Sequence, residues 1–245
     1  MSAPRFLVPD AHDAGPLVAL SGDEAHHARH VLRLGVDASL VAFDGLGHEW
    51  NARVTRVEKR GVTIELLDAR ETLPEPSVRV TLAVGVLKGE QMDAVVRDAT
   101  ALGVAEIVPL LSDHVTVASS AWKKGTPAER WRRVAVAAAK QCGRAVVPQI
   151  VSPESLEELF SRADAGARVM GVEPAMPAGD TAAVSTVARP RSALVLVGPE
   201  GGWSSREVDL ARRHGTVLVT LGPRRLTAAL APIALLSALR TVWGW

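Results

Sequence analysis

One stretch constrains this chain more than any other. Four apolar residues, Leu194 to Val197, run directly into Gly198-Pro199-Glu200-Gly201-Gly202. Ser204 or Ser205 then stands where a helix N-cap belongs, ahead of REVDLARR. This predicts a buried strand, a glycine loop and a helix. Glycine at the carboxyl end of a strand lets a ligand approach the main chain, because no Cβ stands in the way. In open α/β sheets ligands bind at those strand ends. A second glycine turn, Leu221-Gly222-Pro223-Arg224-Arg225-Leu226, follows the next strand. Two such turns at neighbouring strand ends predict one pocket for a small ligand.

The loop chemistry narrows that ligand. The G-x-G-x-x-G spacing that seats a pyrophosphate on a helix N-terminus is missing, as is a P-loop lysine. Glu200 inside the loop argues further against phosphate. A neutral or cationic ligand held by main-chain groups fits better. The plain alternative is a tight βα turn that binds nothing.

The pattern around this loop repeats along most of the chain. From Ser77 onward, apolar strands alternate with amphipathic helices: VRVTLAVGVL, then GEQMDAVVRDATALG, then AEIVPLL, a helix from Pro127 to Gly143, and so on to a last helix ending at Trp243. Such alternation predicts a mostly parallel sheet covered on both faces. Glu90 and Asp93 suit the positive end of the first helix. The segment from 176 to 190 is polar and weakly patterned. Residues 1 to 72 read differently, with alternating apolar and polar residues and turn signals at Asp44-Gly45 and Lys59-Arg60-Gly61. We expect a small twisted β-barrel there, preceded by a short helix with apolar positions Ala25, Ala28, Val31 and Leu32. Leu73-Pro74-Glu75-Pro76 reads as a linker, giving domains at 1–72 and 77–245.

Composition excludes several classes. With 47% hydrophobic and 22% charged residues the chain is globular in type. Its single cysteine, Cys142, rules out an internal disulfide and a cysteine-rich zinc site, and fits a reducing compartment. We see no signal peptide and no apolar run near the roughly 20 residues of a membrane-spanning helix, and expect a cytoplasmic protein. A net charge of +1 means that any nucleic-acid surface must come from segregated charge. Aromatic residues make up only 4% and tyrosine is absent, which disfavours a platform that stacks single-stranded bases.

Three clusters of side chains stand out besides the loops. His26, His27 and His30 have the spacing of metal ligands on a helix, but no further ligand accompanies them and Arg29 and Arg33 would repel a cation; no metal is expected. Arg5, His26, Arg29, His30 and Arg33 instead make a basic surface suited to a phosphate backbone, or simply a solvated helix face. The helix carrying Arg130, Trp131, Arg132, Arg133 and Lys140, with Arg144 beyond it, could line an RNA groove through phosphate contacts, although composition alone favours a plain surface helix. Nucleophilic catalysis is poorly supported: there is no G-x-S-x-G elbow, and Cys142 in its alanine-rich helix reads as a packed side chain.

Five segments in order, GDEAHHARHVLRLGVDA with FDGLGHEW, LKGEQMDAVVRDATALGVAEIVPL, ERWRRVAVAAAKQCGRAVVPQI, LVGPEGGWSSREVDLARRHG and VTLGPRRL, give the chain a likeness over nearly its whole length. It resembles the RsmE-type 16S rRNA uridine-N3 methyltransferases, in the SPOUT class of trefoil-knotted, S-adenosylmethionine-dependent enzymes. The resemblance implies an α/β fold: a C-terminal knotted parallel-sheet methyltransferase domain and a small N-terminal PUA-like β-barrel domain that binds RNA. It implies a homodimer acting on 16S rRNA in the small ribosomal subunit. By position, Val172, Gly198, Pro199, Glu200, Gly201, Gly202, Leu221, Gly222 and Leu226 would border the cofactor. Glu200 would be a base for the N3 proton, and Arg224 or Arg225 would stabilise charge on the uracil oxygens. Arg5, Arg29, Arg33, Arg132, Lys140 and Arg144 would meet rRNA phosphates.

The chain departs from the family after the last motif. Where the family continues Arg-x-Glu-Thr-Ala-Pro, this sequence has Thr227-Ala228-Ala229-Leu230-Ala231-Pro232. Both charged side chains of that motif are gone. The sequence therefore leaves open an active uridine-N3 methyltransferase, a noncatalytic RNA-binding relative, and a methyltransferase of another rRNA or tRNA site.

Overall fold

The computed structural model describes residues 3–13, 15–20, 22–59, 61–115, 126–162, 165–174 and 180–244. The chain forms two compact units, one of Met1–Glu75 with Ala139–Val147, the other of Pro76–Ala138 with Pro148–Trp245. The segment that ends the long basic helix thus packs with the N-terminal residues, a sequence-distant partnership.

The first unit is a curled mixed sheet. Its strands are β1 (Arg5–Leu7), β2 (Leu17–Leu20), β3 (Ser39–Phe43), β4 (Glu49–Glu58) and β5 (Gly61–Arg70), in the order β1-β3-β4-β5-β2. β1 runs parallel to β3 and the remaining pairs are antiparallel. Alternate residues turn inward: Ala52 and Val54 of β4 and Val62 and Ile64 of β5 join Phe6, Leu40 and Ala42 in the core. Register shifts after Trp50 and Val54 bend the long hairpin, as bulges do. Ahead of β3, α1 (Gly22–His26) continues as one turn of π-helix over His27–Val31, closed by the Leu32 amide donating to the His27 carbonyl at 3.0 Å. The wider winding changes the expected helix face. Ala25 and Ala28 are buried, but Val31 and Leu32 are turned outward, 62% and 39% exposed.

The second unit is an all-parallel six-stranded sheet with the order β11-β9-β10-β6-β7-β8. Its elements are β6 (Arg79–Gly85), α2 (Glu90–Ala101), β7 (Glu106–Leu110), α3 (Thr126–Cys142, which runs on into the first unit), β8 (Gln149–Ile150), α4 (Leu156–Arg162), β9 (Ala167–Gly171), β10 (Ser192–Val197), α5 (Ser205–Arg213), β11 (Val217–Val219) and α6 (Leu230–Trp243). β10 is buried from Ala193 to Val197, as a central strand flanked by helices must be. Helices bury one stripe each: Met92, Val95, Val96 and Ala99 on α2, and Leu235, Leu236, Leu239 and Trp243 on α6. The expected parallel α/β architecture is the one observed. Of the polar 176–190 segment, residues 176–179 lie outside the described residues, and the rest includes a single 3-10 turn at Val184–Thr186.

Register positions the site. Val197 of β10 pairs with Gly171 of β9, and Gly171 pairs with Val219 of β11. Three adjacent strands therefore end level, and the three loops that follow them lie side by side.

Candidate functional site

Those loops enclose a cleft with about 680 Å³ of empty space, counted to its open mouth. Its wall is drawn from 171–174 after β9, from 197–203 after β10 and from Val219, Leu221 and 224–228 after β11, with Ala231 and Leu235 of α6 behind. Val172, Gly198, Pro199, Glu200, Gly202, Leu221 and Leu226 all line it, as do Arg224 and Arg225. Gly201 and Gly222 belong to the same turns but do not form the wall. Gly222, with φ +94°, serves the reversal of its turn.

Sterics explain the glycines. A Cβ on Gly198 would lie 3.2 Å from the Trp203 ring, and one on Gly202, where φ is +70°, would lie 2.9 Å from Glu173 Oε1. Trp203 Nε1 donates to the Gly171 carbonyl at 2.9 Å, tying the second loop to the end of β9. The main chain is left as the inner surface of the cleft.

Behind the loop the helix start is firmly held. Ser204 is the N-cap of α5: its Oγ accepts the Glu207 amide at 3.2 Å and the Glu207 carboxylate accepts the Ser204 amide at 2.9 Å. Glu207 is buried and also accepts the Asp113 amide at 3.1 Å. Asp113 receives Arg206 at 2.7 Å and Ser204 Oγ at 2.6 Å, and these bonds hold its carboxyl below the usual carboxylate range. His114 Nδ1 sits 3.1 Å from the Gly201 carbonyl and 3.3 Å from that of Gly202. Asp113, His114 and Glu173 are absent from the residues expected on sequence grounds, since none of them sits in a recognisable spacing.

Four charged side chains line the cleft: Glu173, Glu200, Arg224 and Arg225. Glu200 is exposed, and its Oε1 accepts the Lys88 amide at 3.4 Å. Arg225 donates to Glu173, which links the loop after β11 to the loop after β9. Arg224 is exposed beside them. The uncharged segment begins at Thr227, and Ala228 contributes a small apolar stretch of wall.

The six basic residues expected to meet RNA separate into two groups. Arg5 pairs with Glu49, lies over the Phe43 ring and donates to the Arg144 carbonyl at 3.1 Å. Lys140 pairs with Glu24 at 2.5 Å and lies over Phe6. Arg144 is only 6% exposed and forks onto the Glu75 carboxylate at 2.5 and 2.9 Å. These three hold the first unit together rather than present charge to solvent. Arg33 and Arg132 are exposed, while Arg29, half-buried, donates to the Lys59 carbonyl. Among the described residues no three His, Cys, Asp or Glu side chains gather as metal ligands would. The His26 and His30 rings meet each other at 4.8 Å.

The fold is thus a parallel sheet with a glycine-lined cleft at the carboxyl ends of its strands, together with a smaller curled mixed sheet. A family model described as an RNA methyltransferase domain matches residues 74–240, and one described as an RNA methyltransferase PUA domain matches 20–67. The chain belongs to the RNA methyltransferase family. Among its relatives is the ribosomal RNA small subunit methyltransferase E of Aquifex aeolicus, 32% identical over 230 residues, 92% of this chain and 94% of the relative. The ribosomal RNA small subunit methyltransferase E of Neisseria gonorrhoeae, solved bound to S-adenosyl methionine, superposes with a TM-score of 0.88 at 28% identity, covering 99% of this chain and 98% of that one. A Legionella pneumophila chain in complex with the bound cofactor SAM superposes with a TM-score of 0.91 at 29% identity, covering 98% of each.

Proposed function

We propose that this protein is an S-adenosylmethionine-dependent methyltransferase that methylates N3 of a specific uridine in 16S rRNA of the small ribosomal subunit. The observation that carries this reading is the cleft at the level ends of β9, β10 and β11, walled by main chain and apolar side chains and carrying two carboxylates. Apolar Val172, Leu221 and Leu226 suit the adenine faces, main-chain groups of the glycine loop suit its polar edge, and Glu173 and Glu200 suit cationic groups. The cofactor-bound relatives in the same fold support this assignment.

S-adenosylmethionine supplies a methyl group activated by its sulfonium. The chain's own residues have to handle the uracil. N3 carries a proton that must leave for the nitrogen to become a nucleophile, and Glu200 at the cleft mouth is the carboxylate placed to accept it. Arg224, exposed on the same rim, is the cation for the charge that spreads onto the flanking carbonyl oxygens.

The uncharged 227–230 segment is what favours a noncatalytic relative. Arg225 and Glu173 return a cation and an acid to the same cleft from other positions, which supports the enzyme. A threaded C-terminal knot, a homodimer and a cytoplasmic location belong to the same reading.

The test is nucleoside analysis of 16S rRNA from a strain lacking the corresponding enzyme, with and without this chain. The reading expects 3-methyluridine to return with the chain. Its continued absence at wild-type protein levels contradicts the activity, and a different methylated nucleoside contradicts the target.

A further inference from the structure

Three loops meet at one carboxylate. Glu173, two residues past β9, accepts a hydrogen bond from Arg225 in the loop after β11. Its Oε1 also lies 2.9 Å from the place of a Cβ on Gly202, in the loop after β10. Its side chain is 35% exposed against 71% for Arg225. The other acid of the cleft, Glu200, is exposed and turned to the Lys88 amide. The rest of the wall is glycine or uncharged, apart from Arg224 and Arg225.

Resting on the assignment of the cleft to S-adenosylmethionine, we propose that Glu173 makes the cleft prefer the sulfonium donor to the neutral thioether left after transfer, and that Arg225 tempers the preference. The two nucleosides share adenine, ribose and amino acid, and differ by one methyl group and one positive charge. An apolar wall senses the methyl group weakly, whereas a carboxylate senses the charge directly. A carboxylate partly withdrawn from water acts more strongly than an exposed one, because the surrounding medium screens it less. Glu173 is therefore better placed to discriminate than Glu200. Arg225, paired with Glu173, offsets part of its charge and so limits how tightly the donor is held. A selective acid of this kind favours release of the product and its replacement by fresh donor.

The experiment is calorimetric titration of the full-length protein with S-adenosylmethionine and, separately, with S-adenosylhomocysteine. Wild type, Glu173→Gln, Arg225→Gln and the double variant are compared. Glu173→Gln is expected to weaken the donor about tenfold while leaving the thioether unchanged. That unchanged affinity also reports an intact cleft. Arg225→Gln is expected to move the ratio the other way, towards the donor, and the double variant to follow Glu173→Gln. Equal weakening of both nucleosides overturns the proposal, since it makes Glu173 a ligand of the part they share. No change in either overturns it as well. Failure of wild type to bind either nucleoside overturns the cofactor assignment itself, and the inference with it.

Discussion

His114 stands directly against Gly201. Its Nδ1 lies 3.1 Å from the Gly201 carbonyl, and a Cβ on Gly201 would lie only 2.8 Å from His114 Cβ. The loop after β7 thus holds the glycine loop both by hydrogen bonding and by excluding any side chain at 201.

Gly201→Ala should accordingly displace the loop, because the first obstacle is a Cβ fixed to main chain and not the tip of a flexible side chain. We expect S-adenosylmethionine affinity to fall about tenfold, the scale of a modest overpacking cost. His114→Gly in the Gly201→Ala background should recover part of the loss by reopening the space. Titration of the single and double variants checks this; independent, additive losses would contradict it.

Trp203→Phe keeps an aromatic ring but removes the hydrogen bond from Nε1 to the Gly171 carbonyl and part of the indole's packing against Gly198. The loss should be at least about 1 kcal/mol, the net worth of one such bond. Denaturant unfolding followed by far-ultraviolet circular dichroism measures it, and an unchanged midpoint would contradict the tie.

Asp113 gives a pH dependence with a definite sign. Arg206 and Ser204 hold its folded pKa below the ordinary carboxylate value of about 4. A depressed carboxyl contributes stability that is present above that ordinary value and is lost as pH falls through the depressed one. Asp113→Asn should therefore melt earlier than wild type at neutral pH, with the gap closing in the acid region below about pH 4. Melting curves across that range check it, and a gap that stays constant into acid would contradict it.

The basic residues differ in a measurable way. Arg144→Met should destabilise the protein by about 2 kcal/mol, since it leaves Glu75 without its forked partner. Arg132→Gln and Arg133→Gln, both on exposed positions of α3, should leave stability alone and weaken binding to small ribosomal subunits. The slope of log affinity against log salt should fall by about 1 for each phosphate that the variant no longer neutralises. Filter binding at several salt concentrations, beside melting curves, separates the two kinds of residue.

The contrast between these residues shows how far the sequence can be read. The strand from Leu194, the glycine loop, the N-cap at Ser204 and the parallel sheet are legible because each is a local pattern: apolar run, turn residues, capping residue, amphipathic period. A pocket at neighbouring strand ends is legible from the two glycine turns, whereas the individual residues expected along it come from the family resemblance. Arg144 and Lys140 read as free charge because their acids, Glu75 and Glu24, lie 69 and 116 residues away in the chain. Glu173 and His114 escape notice for the same reason, since they act across 52 and 87 residues on Arg225 and Gly201. The turn at His27–Val31 is hidden because a π winding leaves no mark in a pattern counted at 3.6 residues per turn. Charge run and burial are indistinguishable in one dimension until the fold supplies the partners.

The most direct measurement of the central claim is methyl transfer by the purified protein. Labelled S-adenosylmethionine and small subunits from a strain lacking the enzyme are incubated with wild type, and the rRNA is digested to nucleosides. Label is expected in 3-methyluridine at a single position, reduced in Gly201→Ala. Absence of label while the protein still binds the subunits would contradict it.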